Sequence, residues 1–321
     1  MRLIAFAFVL LMAPGAFAWN KPGHMVIGAI AYDQLVKDNP KLAATLADVL
    51  RQSGLFDSKI ADVPAAEQDR TLFMFAARWP DDIRKSPTYT RPKWHYIDKP
   101  YVPAGDSTAA PEPDNDNALK AFADNLDKVG YLTDAKSKAI ALAWVLHVGG
   151  DLHQPLHCIS EYSTTYPQGD RGGNSQFVRA EAGKRVLDLH SIWDGLILGS
   201  NSDREAGNMA TKLDGRDDLA KAKMPAAGDL NPKHWADESF KLAVKHAYLD
   251  GKLQSSADRH DGPVLPDGYL TTAKDIAEHQ VALAGYRLAA TLEGIKKVAP
   301  IGGKVATPAT TEPGEKDDGR N

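Results

Sequence analysis

Apolar residues recur at helical spacing along most of the chain. In residues 25–36, Val26, Ile27, Ile30, Ala31 and Leu35 fall on one face of a helix, and residues 41–50 repeat the pattern. Residues 117–128 and 134–148 predict two further helices. The second is almost wholly apolar (AIALAWVLHV), as expected of a buried helix. Shorter helical patterns cover 189–198 and 234–249, and a long one covers 272–297. Period-two alternation appears once, over 176–187, where FVRA and RVLDL flank Glu-Ala-Gly-Lys and Gly183 suits a hairpin turn. Proline interrupts the pattern over 85–113, and Gly, Ser, Thr and Tyr dominate 161–174. From Gly302 onward apolar periodicity stops, which predicts a disordered tail over 302–321. There is no internal repeat. The expectation is a mainly α, single-domain protein over 19–301 with a small β-hairpin.

The first 18 residues, MRLIAFAFVLLMAPGAFA, break this pattern. A basic Arg2, an apolar run and small residues at Ala16 and Ala18 form a secretory signal peptide with an A-x-A cleavage site. Cleavage between Ala18 and Trp19 gives a chain that begins on tryptophan and is secreted or periplasmic. No later apolar run reaches membrane-spanning length. The formal charge is −4, and loss of Arg2 makes it −5, with 37 basic against 42 acidic residues. Such a balance argues against a broad basic surface gripping duplex nucleic acid. Phosphate substrates stay open, because bound metal ions supply positive charge that a residue count misses. The single cysteine, Cys158, excludes an intrachain disulfide.

Chemistry concentrates in HVGGDLHQPLHC, residues 147–158. His147 and Asp151 are four apart at the end of a predicted helix and share a face. His153 lies about 240° round from His147 and points elsewhere. Pro155 ends the helix, and the bend brings His157 toward the same space from another direction. LHSIWDG repeats the four-residue spacing with His190 and Asp194. Imidazole with carboxylate suits zinc and other borderline divalent ions. RWPDDIR offers Asp81 and Asp82 before Arg84, either as ligands or as acids at a helix N-terminus. KWHYID offers His95, either as a ligand or as an ordinary half-buried histidine, with Tyr96 and Asp98 beside it.

Taken in order, the blocks W-x-x-x-x-H (Trp19 to His24), W-x-D-x-x-R (Trp79 to Arg84), W-H-Y-I-D (Trp94 to Asp98), H-x-x-x-D-x-H-Q-P-L-H (His147 to His157), G-G-N (Gly172 to Asn174) and L-H-x-x-W-D (Leu189 to Asp194) resemble the zinc-dependent single-strand nucleases of fungi and plants. That family shares its fold with bacterial zinc phospholipase C. The resemblance implies three zinc ions per chain. Asp81, His95, His147 and Asp151 would hold one. The Trp19 α-amine and carbonyl, His24 and the bridging Asp151 would hold the second, and His157, His190 and Asp194 the third. An α-amine has a pKa near 8 and yields its proton to a metal at neutral pH, which an internal peptide nitrogen cannot do.

The resemblance further implies hydrolysis of phosphodiester bonds in single-stranded DNA and RNA to 5′-phosphorylated products, with 3′-nucleotides as additional substrates. Arg84 would reach the phosphate, Asp81 would assist the attacking water, and Tyr96, Asp98 and Asn174 would bind substrate. Neither a membrane nor an obligate protein partner is expected. Two alternatives remain open from sequence: a zinc phospholipase C, and a periplasmic zinc-binding protein without catalysis. Nine ligand groups spread over three ions leave positions for water, which favours an enzyme. His234, His246, His260 and His279 take no role.

Overall fold

The computed structural model describes residues 19–302. The expected signal peptide at 1–18, and the expected tail apart from Gly302, lie outside the described residues. Ten α-helices are found among the described residues: α1 Lys21–Asp38, α2 Pro40–Gln52, α3 Asp57–Ile60, α4 Gln68–Asp82, α5 Ala118–Tyr131, α6 Ala135–Asp151, α7 Leu189–Asp194, α8 Asp203–Asp214, α9 Pro232–Leu242 and α10 Tyr269–Glu293. The chain is mainly helical, as expected.

α1 is the central element. Asn20 caps it by accepting the Gly23 amide at 3.0 Å, and Pro22 sits in the first turn where its missing N–H costs nothing. α1 packs against α4, α8 and α10, which explains why it is buried on nearly every side rather than along one stripe. Gly28 makes the α4 contact possible, since a Cβ there would stand 2.6 Å from the Phe73 carbonyl oxygen. α6 is the second buried helix. It is capped by Asp134 on the Ser137 amide at 2.8 Å and lies against α4 and α5.

The hairpin forms from β3 Phe177–Arg179 and β4 Val186–Asp188, with Phe177 opposite Asp188 and Gly183 at φ +76° in the turn. A parallel pair, β1 Pro100–Tyr101 with β2 Ser160–Glu161, joins the two proline- and glycine-rich loops, which the sequence pattern left without structure.

Several elements differ from expectation. The apolar pattern predicts no helix at α4, and Asp81 and Asp82 lie at its C-terminal end, not at a helix N-terminus. Pro80 lies inside α4, where its missing N–H leaves the Ala76 carbonyl out of the helical ladder. α8 buries mainly small residues (Ala206, Gly207, Ala210) and so carries little apolar signal. α7 stops at Asp194, before Gly195, instead of running to residue 198. The helix expected over 234–249 is α9 followed by one π-turn, Ala243–Ala247.

Candidate metal centre

Six pieces of backbone deliver their side chains to one buried site. His24 comes from the first turn of α1, Asp81 from the end of α4, and His95 from the 3-10 turn Pro92–His95. His147 and Asp151 come from the last turns of α6, His157 from the 3-10 turn Pro155–Cys158, and His190 and Asp194 from α7. All eight are buried. The predicted ligand residues are thus brought together, and the half-buried surface reading of His95 is excluded.

Asp151 occupies the middle. Its Oδ1 faces His24 Nε2 at 3.2 Å, and its Oδ2 faces His147 Nε2 at 3.3 Å and His95 Nδ1 at 3.4 Å. Each carboxylate oxygen therefore addresses a different set of imidazoles. Asp81 Oδ1 lies 3.9 Å from His147 Nε2. Across the site, His190 Nε2 is 3.5 Å from Asp194 Oδ2, and His157 Nε2 is 3.9 Å from Asp194 Oδ1. By mutual distance the atoms gather as His24, Asp81 and His147; His95, His147 and Asp151; and His157, His190 and Asp194. The third set matches the sequence reading as it stands. The first two share His147, and Asp81 falls beside His24 as well as beside His147.

Carbonyls set the ring orientations. His147 Nδ1 bonds to Ala77 O at 2.8 Å, His157 Nδ1 to His95 O at 2.6 Å, and His190 Nδ1 to Gly172 O at 2.6 Å. A proton held on Nδ1 by a carbonyl leaves the Nε2 lone pair directed at the carboxylates, the tautomer a metal ligand needs. His24 stacks on His147 with ring centroids 3.8 Å apart.

The electrostatics are those of a cation site. Burial pushes Asp151 and Asp194 well above the carboxylate range. Burial also pushes Asp81 up to about 6, against the pull of Arg84. Burial drives His24 and His95 well below the usual imidazole value and His147 down to about 3. Both oxygens of Asp151, both ring nitrogens of His24 and one oxygen each of Asp81 and Asp194 have no hydrogen-bond partner. A buried polar atom left unpaired costs about 1–3 kcal/mol, more for a charge. So many in one place, on donor types that suit zinc, fit bound divalent cations.

Trp19 lies against this cluster. Its indole nitrogen donates to Gly150 O at 3.1 Å, next to Asp151, and the Asn20 amide donates to Asp194 O at 3.1 Å. Arg84 Nε donates to Asp81 Oδ1 at 2.8 Å from the edge of the site. His153 turns away, as the helical wheel requires. Its Nδ1 bonds Gly149 O at 2.7 Å, and its Nε2 accepts from Arg287 at 3.0 Å. Tyr96, Asp98 and Asn174 line a narrow cleft together with His95, His157 and His190. Burial, then the charge of Asp170, pushes Asp98 up to about 6. Of the unassigned histidines, His234 pairs with Asp229 at the surface, and His246 and His279 line a separate groove.

Sequence reasoning missed the residues that hold the ligands in place. Gln154 donates to Asp194 Oδ1 at 2.6 Å and accepts the Leu156 amide. Asp170 gathers the amides of Glu161 (2.7 Å), Gly172 (3.1 Å) and Gly173 (2.8 Å) and the Tyr248 hydroxyl (2.7 Å). That clamp presents Gly172 O to His190. Gly172 has φ +63°, and a Cβ there would stand 2.1 Å from Leu156 O. Arg171, at φ +60°, lines the cleft opposite Asp98. The Gly172-Gly173 pair was the one available signal for this loop.

A family model described as S1/P1 Nuclease matches residues 19–297. The chain belongs to that family. It is similar to Endonuclease 2 of Arabidopsis thaliana, 26% identical over 308 residues that cover 91% of this chain and 96% of that protein. Endonuclease 4 of the same plant is 27% identical over 330 residues, covering 92% and 96%. Endonuclease 3 is 24% identical over 318 residues, covering 92% and 95%. The protein is therefore a nuclease, a hydrolase acting on nucleic acid, with three His/Asp clusters able to hold metal. The phospholipase and non-catalytic readings lose their ground. Among the described residues, no helix is long and apolar enough to cross a membrane.

Proposed function

We propose that this nuclease is a zinc-dependent endonuclease of single-stranded DNA and RNA that releases 5′-phosphorylated products and also dephosphorylates 3′-nucleotides. The observation that carries the reading is the placement of Asp151, whose two unpartnered oxygens face different imidazoles. Asp151 would bridge two zinc ions, with Asp81, His95 and His147 on one and His24 with the Trp19 amine and carbonyl on the other. His157, His190 and Asp194 would hold the third. Bound zinc supplies Lewis acidity toward water and toward the phosphoryl oxygens.

The chain's own residues do the rest. Asp81, bonded to Arg84, would assist the attacking water. Arg84 offers a guanidinium to the phosphate. Tyr96 would stack on the base, Asp98 would bond its edge, and Asn174 would line the far wall. A paired, stacked base cannot enter so narrow a cleft, whereas an unpaired nucleotide can turn its base into it. The amine role requires removal of residues 1–18; the basic, apolar and A-x-A pattern of that segment would direct such a cut and carry the chain to the periplasm or outside the cell.

The test compares cleavage of a single-stranded oligonucleotide with that of its fully paired form at matched salt, repeated with Tyr96→Ala. The reading expects strong preference for the single strand and a rise in KM for the variant. Equal rates on both forms overturn the substrate claim.

A further inference from the structure

The turn Pro92–His95 divides two clefts. On one face is the narrow cleft of His95, Tyr96 and Asp98 beside the metal centre. On the other is a roomier cleft of about 420 Å³, walled by Tyr89, Trp94 and Trp144, with Arg91, Lys128 and Asn125 also lining it. Its aromatic wall is firmly built. Trp94 meets Trp144 edge to face with centroids 4.9 Å apart, and the Trp94 indole nitrogen donates to Asp116 Oδ1 at 2.9 Å. The Arg91 guanidinium sits 5.6 Å from the Trp94 ring centre. Trp144 in turn touches the His95 ring, with centroids 5.4 Å apart. Asn125 is buried, and its amide nitrogen donates to Ala121 O at 2.7 Å.

None of these residues has a part in the chemistry described above. Yet the cleft combines what a nucleotide needs: indole surface for a base and two cations for a phosphate. It opens one residue from a proposed metal ligand. Arg and Lys beside the half-buried indole of Trp94 suit an anion with a flat apolar body.

We propose that this second cleft binds a neighbouring base of the same strand, so that the Pro92–His95 turn wedges two consecutive nucleotides apart. This rests on the single-strand nuclease reading above. Separating two bases unstacks them, which a duplex resists and a single strand does not. Sequence-tolerant stacking on Trp94 would extend the footprint beyond the nucleotide at the metal centre.

The experiment uses the zinc-loaded protein and a set of tetranucleotides, each lacking one base at a single abasic position, with products identified by mass spectrometry. In the wild type, base removal should lower kcat/KM by about tenfold at two consecutive positions relative to the cut bond, in keeping with the usual strength of base–aromatic stacking. Trp94→Ala removes the stacking surface, and Ser137→Phe fills the cleft from an exposed position on its rim. Both variants should keep sensitivity at one position only. General damage to His95 would slow all substrates together and leave the pattern of two. A wild type with one sensitive position, or variants that both retain two, overturns the second cleft. A zinc-loaded wild type that cuts none of the intact strands overturns the nuclease reading itself.

Discussion

Replacing Asp151 by asparagine should have opposite effects with and without metal. In the metal-free protein the Asp151 carboxyl is buried with no hydrogen bond to either oxygen, and burial, then the Asp81 carboxylate, holds its pKa well above 3.8. The folded state keeps a proton that the unfolded chain releases near 3.8. Stability therefore falls as pH rises between those two values, by about 1.4 kcal/mol per pH unit from this group alone. Asparagine has nothing to titrate and removes that slope. Metal-free Asp151→Asn should gain on the wild type steadily as pH rises from 4. Bound metal reverses the comparison. An ion present at a thousand times its Kd stabilises the folded state by about 4 kcal/mol, and asparagine supplies only one good acceptor where two sites each require an oxygen. Urea denaturation at several pH values, in chelator and in zinc, reads both effects. The double difference between variants cancels the titrating groups that do not interact with Asp151. A variant less stable than the wild type under both conditions, with no pH dependence in the difference, would refute the account of Asp151.

Two further outcomes follow from the geometry. A protein retaining one residue ahead of Trp19 lacks the free α-amine at the cluster; it should bind less zinc and turn over at least about tenfold more slowly, the usual cost of disturbing a metal site, with mass spectrometry confirming the extension and metal analysis the loss. Gly172→Ala forces a Cβ to within 2.1 Å of Leu156 O at φ +63° and disturbs the carbonyl that orients His190; thermal melting should show a loss of at least about 2 kcal/mol, and an unchanged midpoint would contradict the role given to that loop.

The clustering of His147, Asp151 and His157 is legible because it is local, whereas His24, Asp81 and His95 join them only through the resemblance to the family. His147 and Asp151 share a helix face by spacing alone, and Pro155 announces the bend that turns His157 inward. The wheel that points His153 away from them is met by its bonds to Gly149 and Arg287. What the pattern could not carry was anything decided by distant partners. α4 has a polar start and a proline near its end, and it forms because its middle packs on α1. α8 buries alanine and glycine, which read as neutral. Asp170 sits in a loop whose pattern carries no signal for it. Its importance comes from amides and a tyrosine hydroxyl that arrive from as far away as Tyr248. The gathering of Asp81 with His24 and His147 likewise depends on where α1 lies against α4.

The central claim is a site for three zinc ions, and elemental analysis of the purified protein beginning at Trp19 tests it most directly. The account predicts three zinc per chain, activity lost to a strong chelator, and activity restored by zinc. A stoichiometry of one, or full activity in excess chelator, would contradict it.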